Sequence, residues 1–358
     1  MSLAQHSPLK NLTGPILITG HTGFKGTWLT LLLESLGIPV VGFSLPPEKN
    51  SLFDLTRREG CIPEVFGDIR GISDLKEFFD RYRPAAIIHL AAQSLVLESY
   101  KKPLETFETN VMGTANILKV AFETNSVEAV VIATTDKVYR NNNSGTPFLE
   151  TDSLAGKDPY SASKVATEAV VAAWQQIAKV GGGPKLFSVR AGNVVGGGDL
   201  SSDRLLPDLV RGLISGTNIH IRNPRSTRPW QHVLDPLHGY LLALEAVING
   251  ADLTAVNFGP VGESLTVKEV AEIVVNFWPN KIALDFSTSA DLNILESINL
   301  SLNSEFAQLR LGWKPLLSQR DAVASTIQWW KAVMLDQQNP VDVCNQEIAN
   351  LFSNGLGK

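Results

Sequence analysis

Short unbroken apolar runs alternate along the chain with longer stretches of helical periodicity. Ile16-Leu-Ile-Thr19, Pro39 to Ser44, the segment before Gly67, Ala85 to Gln93, Val130 to Tyr139 (the strand together with its exit) and Lys185 to Arg190 read as six strands. Val256-Asn-Phe-Gly259 reads as a further one. Helices are predicted over Thr27 to Leu36, from about Ser73, around Asn110, and from Tyr160 to the breaker Gly181-Gly-Gly-Pro184. Strands that alternate with helices predict an α/β fold with a doubly wound parallel sheet. Beyond residue 190 the composition shifts, and most of the remainder reads as helical. The predicted division is 1–190 for the sheet domain and 191–358 for a smaller substrate-binding domain, with some segments returning to the sheet.

Glycine marks the first crossover. Gly20-His-Thr-Gly23-Phe-Lys-Gly26 follows a strand and opens a helix, the context in which a glycine-rich turn cradles a pyrophosphate. Gly20 permits the tight turn, Gly23 the approach of the phosphates and Gly26 close helix packing, while the helix N-terminus offers amide groups. The second strand ends at Ser44 rather than at the acidic residue that usually selects NAD. No Arg follows to meet a 2′-phosphate, so NAD is expected. Asp68 after the third strand fits either adenine or the cap of the next helix. Small residues after the fourth strand leave room for a cofactor. His89 reads as a packed strand residue, and Asn110, inside a predicted long helix, needs a buried partner for its amide.

The richest chemistry follows the fifth strand. Thr134-Thr135-Asp136-Lys137 sets hydroxyl, carboxyl and amine side chains where strand ends meet ligand. In Asp158-Pro-Tyr160-Ser-Ala-Ser-Lys164, Tyr160 and Lys164 stand four apart on one helix face. A lysine ammonium beside the phenol is expected to lower its pKa and make it a general acid–base near neutrality. Later, Ala191 to Asp199 reads as a loop too glycine-rich to be core. Arg204, Arg211, Arg222, Arg225 and Arg228 cluster within a short span, and Arg228-Pro-Trp230-Gln-His232 suits a guanidinium fork on a diphosphate. Trp329 and Trp330 read as core.

The net charge of -5 argues against a general nucleic-acid binder. Cys61 and Cys344 are the only cysteines, with no metal-ligand spacing. No apolar run is long enough to span a bilayer, and residues 1–14 have no secretory apolar segment, so the cytoplasm is the expected compartment.

Taken together, Thr19-Gly20-x-x-Gly23-x-x-Gly26, His89-Leu-Ala-Ala92, Thr135 and Tyr160-x-x-x-Lys164 resemble the extended short-chain dehydrogenase/reductase superfamily, with its Rossmann-type sheet. Arg228-x-Trp230-x-x-Val233-x-Asp235 is similar to its sugar-nucleotide signature. Asp136 resembles the 4,6-dehydratases rather than the epimerases. Lys137 after it, with Gly20-His-Thr-Gly-Phe-Lys-Gly26 and Thr227 to Leu234, resembles the CDP-glucose 4,6-dehydratase branch. That resemblance implies NAD held by Gly20, Thr22, Gly23, Phe24, Lys25, Gly26, Ser44, Asp68, Ile69, Leu90, Ala91, Ala92, Thr109, Thr134, Tyr160 and Lys164. It implies substrate contacts from Gln93, Ser94, Asn193, Arg204, Arg228 and His232, and no metal.

The implied catalytic group is Thr135, Asp136, Lys137, Tyr160 and Lys164. Asp136 would be the acid at the departing 6-hydroxyl, and Lys137 either the C5 base or a stabiliser of the enolate. A homodimer formed through the helices bearing Asn110 and Tyr160 is also expected, with Val165, Ala166, Ala169, Val170 and Ala173 as its small apolar face. That face could instead lie on the sheet. A sugar-nucleotide epimerase or decarboxylase, and more remotely a non-catalytic NAD sensor, are the competing readings.

Overall fold

The computed structural model describes residues 7–201, 204–221, 223–262, 264–279, 283–286 and 300–354. Six strands, β1 (Ile16–Thr19), β2 (Val40–Ser44), β3 (Glu64–Phe66), β4 (Ala86–His89), β5 (Ala129–Ala133) and β6 (Lys185–Ala191), are joined by Ala255–Phe258 in one sheet. The order is Ala255–Phe258, β6, β5, β4, β1, β2, β3, and every pairing is parallel. This is the doubly wound Rossmann-type sheet that the strand–helix alternation predicts.

Its central strands are buried on both faces, which is why they lack polar alternation. Successive side chains of β1 divide between two cores. Ile16 and Ile18 join Trp28 and Leu32 on one face, and Leu17 joins Ile87 and Val130 on the other. The chain reverses direction across the sheet between β1 and β4, which are hydrogen-bonded neighbours. Their carboxyl ends therefore open a crevice at the switch point, the place where such sheets bind ligands.

The segment after residue 191 returns to this framework. Ala255–Phe258 extends the sheet beside β6, and the buried helix Leu234–Ile248 contributes Leu237, Leu241 and Leu244 to the same core as β1 and β5. The two-residue strand Gln231–His232 pairs in parallel with Val194–Val195.

Two local expectations change, and the exit of the fifth strand takes a definite form. The fifth strand stops at Ala133, and Asp136–Val138 forms a 3₁₀ turn whose N-cap is Thr135. The helix around Asn110 is not continuous α: Glu108–Met112 is a π turn between Pro103–Phe107 and Gly113–Glu123. The glycine-rich loop is buried. Gly197 packs so tightly that a β-carbon there would lie 2.0 Å from the Trp329 ring, and its carbonyl accepts from Trp28 Nε1 at 3.1 Å. Its glycines serve close packing rather than solvent exposure, and Trp329 and Trp330 are core as expected.

Candidate active site

A cleft of about 1480 Å³ runs across the carboxyl ends of the strands. One end is built by the glycine turn. Gly20 has φ +73°, and a β-carbon there would come within 2.8 Å of Ala91 N, so the turn lies directly on the β4 exit. A β-carbon at Gly26 would meet Gly20 O at 2.1 Å. Gly23 is exposed on the cleft and caps the Phe24–Ser35 helix without a side-chain hydrogen bond, which leaves the first-turn amides for a ligand. Ser44 Oγ and Thr22 Oγ1 are 2.8 Å apart, and Thr22 donates to Leu45 O. This bare-backbone cradle fits a dinucleotide pyrophosphate.

Asp68 does not cap the following helix. That helix, Ile72–Tyr82, is capped by Gly71, whereas both Asp68 oxygens accept from Arg70, which holds the carboxyl below its ordinary range. Ile69, Leu90, Ala91, Ala92, Gln93, Ser94, Thr109 and Thr134 line the cleft with Asp68. The wall is fixed by Asn110, whose side chain satisfies both backbone groups of Gln93 and donates to Ser163 Oγ at 2.8 Å. His89 is a core residue, held between the hydroxyls of Thr19 (2.7 Å) and Thr114 (3.0 Å). Burial depresses its pKa to about 3, so it is neutral.

The helix Pro159–Gly181 starts at an Asp158 cap and a first-position proline, which sets Tyr160 at its first turn beside the cleft. Tyr160 is hydrogen-bonded with the Thr135 hydroxyl, and Thr135 Oγ1 donates to Asp136 Oδ1 at 3.0 Å. Lys164 lies one turn on, but its Nζ donates to Ala133 O at 3.0 Å rather than to the phenol. The expected acidification of Tyr160 by Lys164 is therefore not what the geometry gives. Burial pushes the phenol up to about 12, against the Thr135 hydrogen bond, and burial lowers Lys164 to about 8.

Lys137 lines the cleft, 3.4 Å from Asn193 Oδ1 and 3.6 Å from Asp136 Oδ1. Asp136 itself is 0% exposed, lies outside the cleft wall, and its Oδ2 has no hydrogen-bond partner. It opens the 3₁₀ turn, tied to Thr135 Oγ1, with Oδ2 directed toward Gly192 of the cleft.

Asn193, Arg204 and Arg228 line the opposite wall, with Arg204 paired to Asp199 at 3.1 Å. Arg222 lies outside the described residues. His232 is not a wall residue. It is fully buried, 3.1 Å from Glu347 Oε1 of the Pro340–Asn354 helix, because the strand Gln231–His232 turns it toward the core. Sequence reasoning missed Glu168, although its place four residues after Lys164 put it on the same helix face.

A profile of the NAD dependent epimerase/dehydratase family matches residues 16–259. The chain belongs to that family. The CDP-glucose 4,6-dehydratase of Salmonella typhimurium is 37% identical over 326 residues, covering 88% of this chain and 90% of that protein. The UDP-glucose 4-epimerase of Halalkalibacterium halodurans is 29% identical, covering 84% and 90%. Among solved structures, the dTDP-glucose 4,6-dehydratase of Streptomyces venezuelae with NAD bound shares the fold at TM-score 0.76 and 24% identity, over 91% of this chain and 99% of that one. The cofactor of the family is NAD, which the cradle fits. Among the described residues no helix is long and apolar enough to cross a membrane, and no His/Cys/Asp/Glu group is arranged for a metal.

Proposed function

We propose that the protein is a sugar-nucleotide 4,6-dehydratase that converts CDP-glucose to its 4-keto-6-deoxy product. Lys137 carries this reading. Epimerisation needs one acid–base at the 4-hydroxyl, which Tyr160 and Thr135 supply, whereas dehydration needs a second proton-transfer centre at C5 and C6. Lys137 is an amine on the cleft wall two residues from Thr135. The identity with the Salmonella dehydratase supports the same choice and the CDP nucleotide.

NAD, when bound, supplies the acceptor of the hydrogen leaving C4 and the donor of the one returned to C6. The protein's residues move the protons. Tyr160 takes the 4-hydroxyl proton as its own phenolic proton passes out to solvent through the cleft, and Lys164 holds the β5 exit by Ala133. A proton shifted from Lys137 to Asp136 across their 3.6 Å contact leaves a neutral amine and a carboxylic acid together. The amine can then remove the C5 proton, acidified by the adjacent ketone. The acid supplies the departing 6-hydroxyl through Thr135 Oγ1, since Asp136 is out of the wall. Asn193, Arg204 and Arg228, in the 191–358 substrate portion, hold the diphosphate.

We infer a homodimer as well. Leu104 is 79% exposed and Val180 90%, and Tyr100, Met112 and Ile177 are exposed on the neighbouring helices. Of the expected small apolar face, Ala169 and Ala173 are exposed, whereas Val170 packs onto the sheet core and Val165 against Val138 and Leu302.

The test is incubation of the full chain with NAD and CDP-glucose, followed by mass spectrometry. Loss of one water is expected, faster with CDP-glucose than with dTDP-, UDP- or GDP-glucose. A product of unchanged mass would overturn the dehydratase reading, and faster turnover of another nucleotide would overturn the choice of CDP.

A further inference from the structure

The loop after β6 ends in a closed link. Asp199 directly follows the packed glycine run, where a β-carbon at Gly198 would lie 2.3 Å from the Leu52 side chain. Asp199 is buried, and its Oδ1 accepts from Ser201 N at 3.0 Å and from Ser201 Oγ at 2.7 Å. Its Oδ2 accepts from Arg204 Nη1 at 3.1 Å. Arg204 is the N-cap of the helix Leu205–Ser215, and its side chain is 35% exposed on the cleft wall. Among the described residues Asp199 is the only hydrogen-bonding partner of its guanidinium. A guanidinium grips an oxyanion with two parallel N–H groups. With Nη1 committed to Asp199, the edge formed by Nε and Nη2 remains for a ligand. The charge also reaches the cofactor cradle: burial first, and Arg204 next, lower Lys25 to about 7.

We propose that Asp199 is a positioning residue that holds Arg204 on the cleft before substrate arrives, so that the diphosphate of the sugar nucleotide meets an ordered fork rather than a free side chain. The role rests on the sugar-nucleotide reading, because the diphosphate is the group that Arg204 holds there. A free arginine has many rotamers, and ordering it on binding costs affinity. Asp199 removes that cost because it is fixed at both ends, its backbone by the glycine run and its carboxylate by Ser201. Another polar group of the same size would not serve. Three donors converge on two oxygens, and an amide has only one oxygen to offer. Its NH2 would face either Arg204 or the Ser201 N–H, donor against donor. Asp199 has the same sign of charge as the ligand, but the two anions take opposite sides of one guanidinium, which bridges them.

The experiment is calorimetric binding of CDP and of UDP to the full chain with NAD added. The proteins are wild type, Asp199→Asn, Asp199→Glu, Arg204→Gln and the double variant Asp199→Asn/Arg204→Gln. Asp199→Asn is expected to raise the Kd by roughly 2- to 10-fold. Asp199→Glu keeps the charge but displaces it by one methylene, and a smaller rise is expected. In the Arg204→Gln background, Asp199→Asn is expected to weaken binding no further. A merely structural loss would appear in both backgrounds and cancel in the cycle. An unchanged Kd in whichever Asp199 variants fold would overturn the proposal, as would the same rise in both backgrounds. Tighter binding in Asp199→Asn would also overturn it, by making Asp199 a rival of the diphosphate. These affinities are read without turnover, so a product of unchanged mass would remove the dehydratase reading and leave this test intact. UDP bound more tightly than CDP would remove the nucleotide choice alone.

Discussion

Asn110 closes both backbone groups of Gln93: its Oδ1 accepts from Gln93 N at 2.8 Å and its Nδ2 donates to Gln93 O at 3.0 Å. The cleft wall after β4 thus depends on a side chain presented by a π turn. Asn110→Ala strands these groups without partners, at a cost of about 1–3 kcal/mol. A lower midpoint in urea unfolding, together with weaker substrate binding, is the expected result. Unchanged stability would mean that water replaces the amide.

Tyr160→Phe removes the phenol and leaves the ring in place. Turnover of CDP-glucose should fall by roughly 10²- to 10⁴-fold with substrate affinity retained. Equilibrium binding and product mass spectrometry separate the two quantities. Loss of affinity in proportion to rate would assign the phenol to binding.

Lys137→Met should abolish proton removal at C5 while leaving the Tyr160–Thr135 pair intact. Deuterium at C5 of labelled CDP-glucose should then be retained, whereas wild type exchanges or eliminates it. Asp136→Asn, which blocks the proton shift between the two, should reduce dehydration by roughly 10²- to 10⁴-fold. Full activity in Asp136→Asn would leave Lys137 as the sole proton-transfer group.

His232 and Glu347 tie the C-terminal helix to the core. Burial lowers the imidazole pKa, but Glu347 outweighs it and the net shift is upward. A folded-state pKa above the unfolded value of about 6.5 gives stability that is fully present below that pH and is lost as pH rises through the folded pKa. Relative to wild type, Glu347→Gln should be less stable at pH 6, with the gap closing on the alkaline side. Thermal unfolding across that range checks it, and a gap independent of pH would mean that the imidazole is neutral throughout.

The exposed apolar side chains give a test of assembly. Leu104→Asp with Val180→Asp should convert a dimer to monomer in light scattering at micromolar concentration. A wild-type monomer would remove the inferred interface.

The order of strands and the place of the cofactor cradle were legible because buried parallel strands need apolar runs and close turns need glycine, both local signals. Tyr160, Lys164, Thr135 and Lys137 were legible as a group for the same reason. What could not be read was rotation. Nothing in Thr134-Thr-Asp-Lys137 says that a 3₁₀ turn sends Asp136 under the wall and Lys137 into the cleft. Nor does Gln231-His232 reveal that both side chains are buried, His232 against Glu347 rather than on the cleft. Lys164 was misjudged for a related reason, since its bond to the Ala133 carbonyl depends on where β5 ends. Glu168 was within reach of helical spacing alone, but its partners on β6, Ser188 and Arg190, were not.

The buried glycine loop after β6 has a mechanical consequence. Gly196, Gly197 and Gly198 are wedged against Val233, Trp329 and Leu52, so the crossing from the sheet to the Arg204 wall has no slack despite its composition. Any swing of that wall over a bound substrate must pivot beyond Asp199, and the hinge cannot be the segment richest in glycine. A methyl group at Gly197, 2.0 Å from the Trp329 ring, would act as a shim that forces the loop and the ring apart.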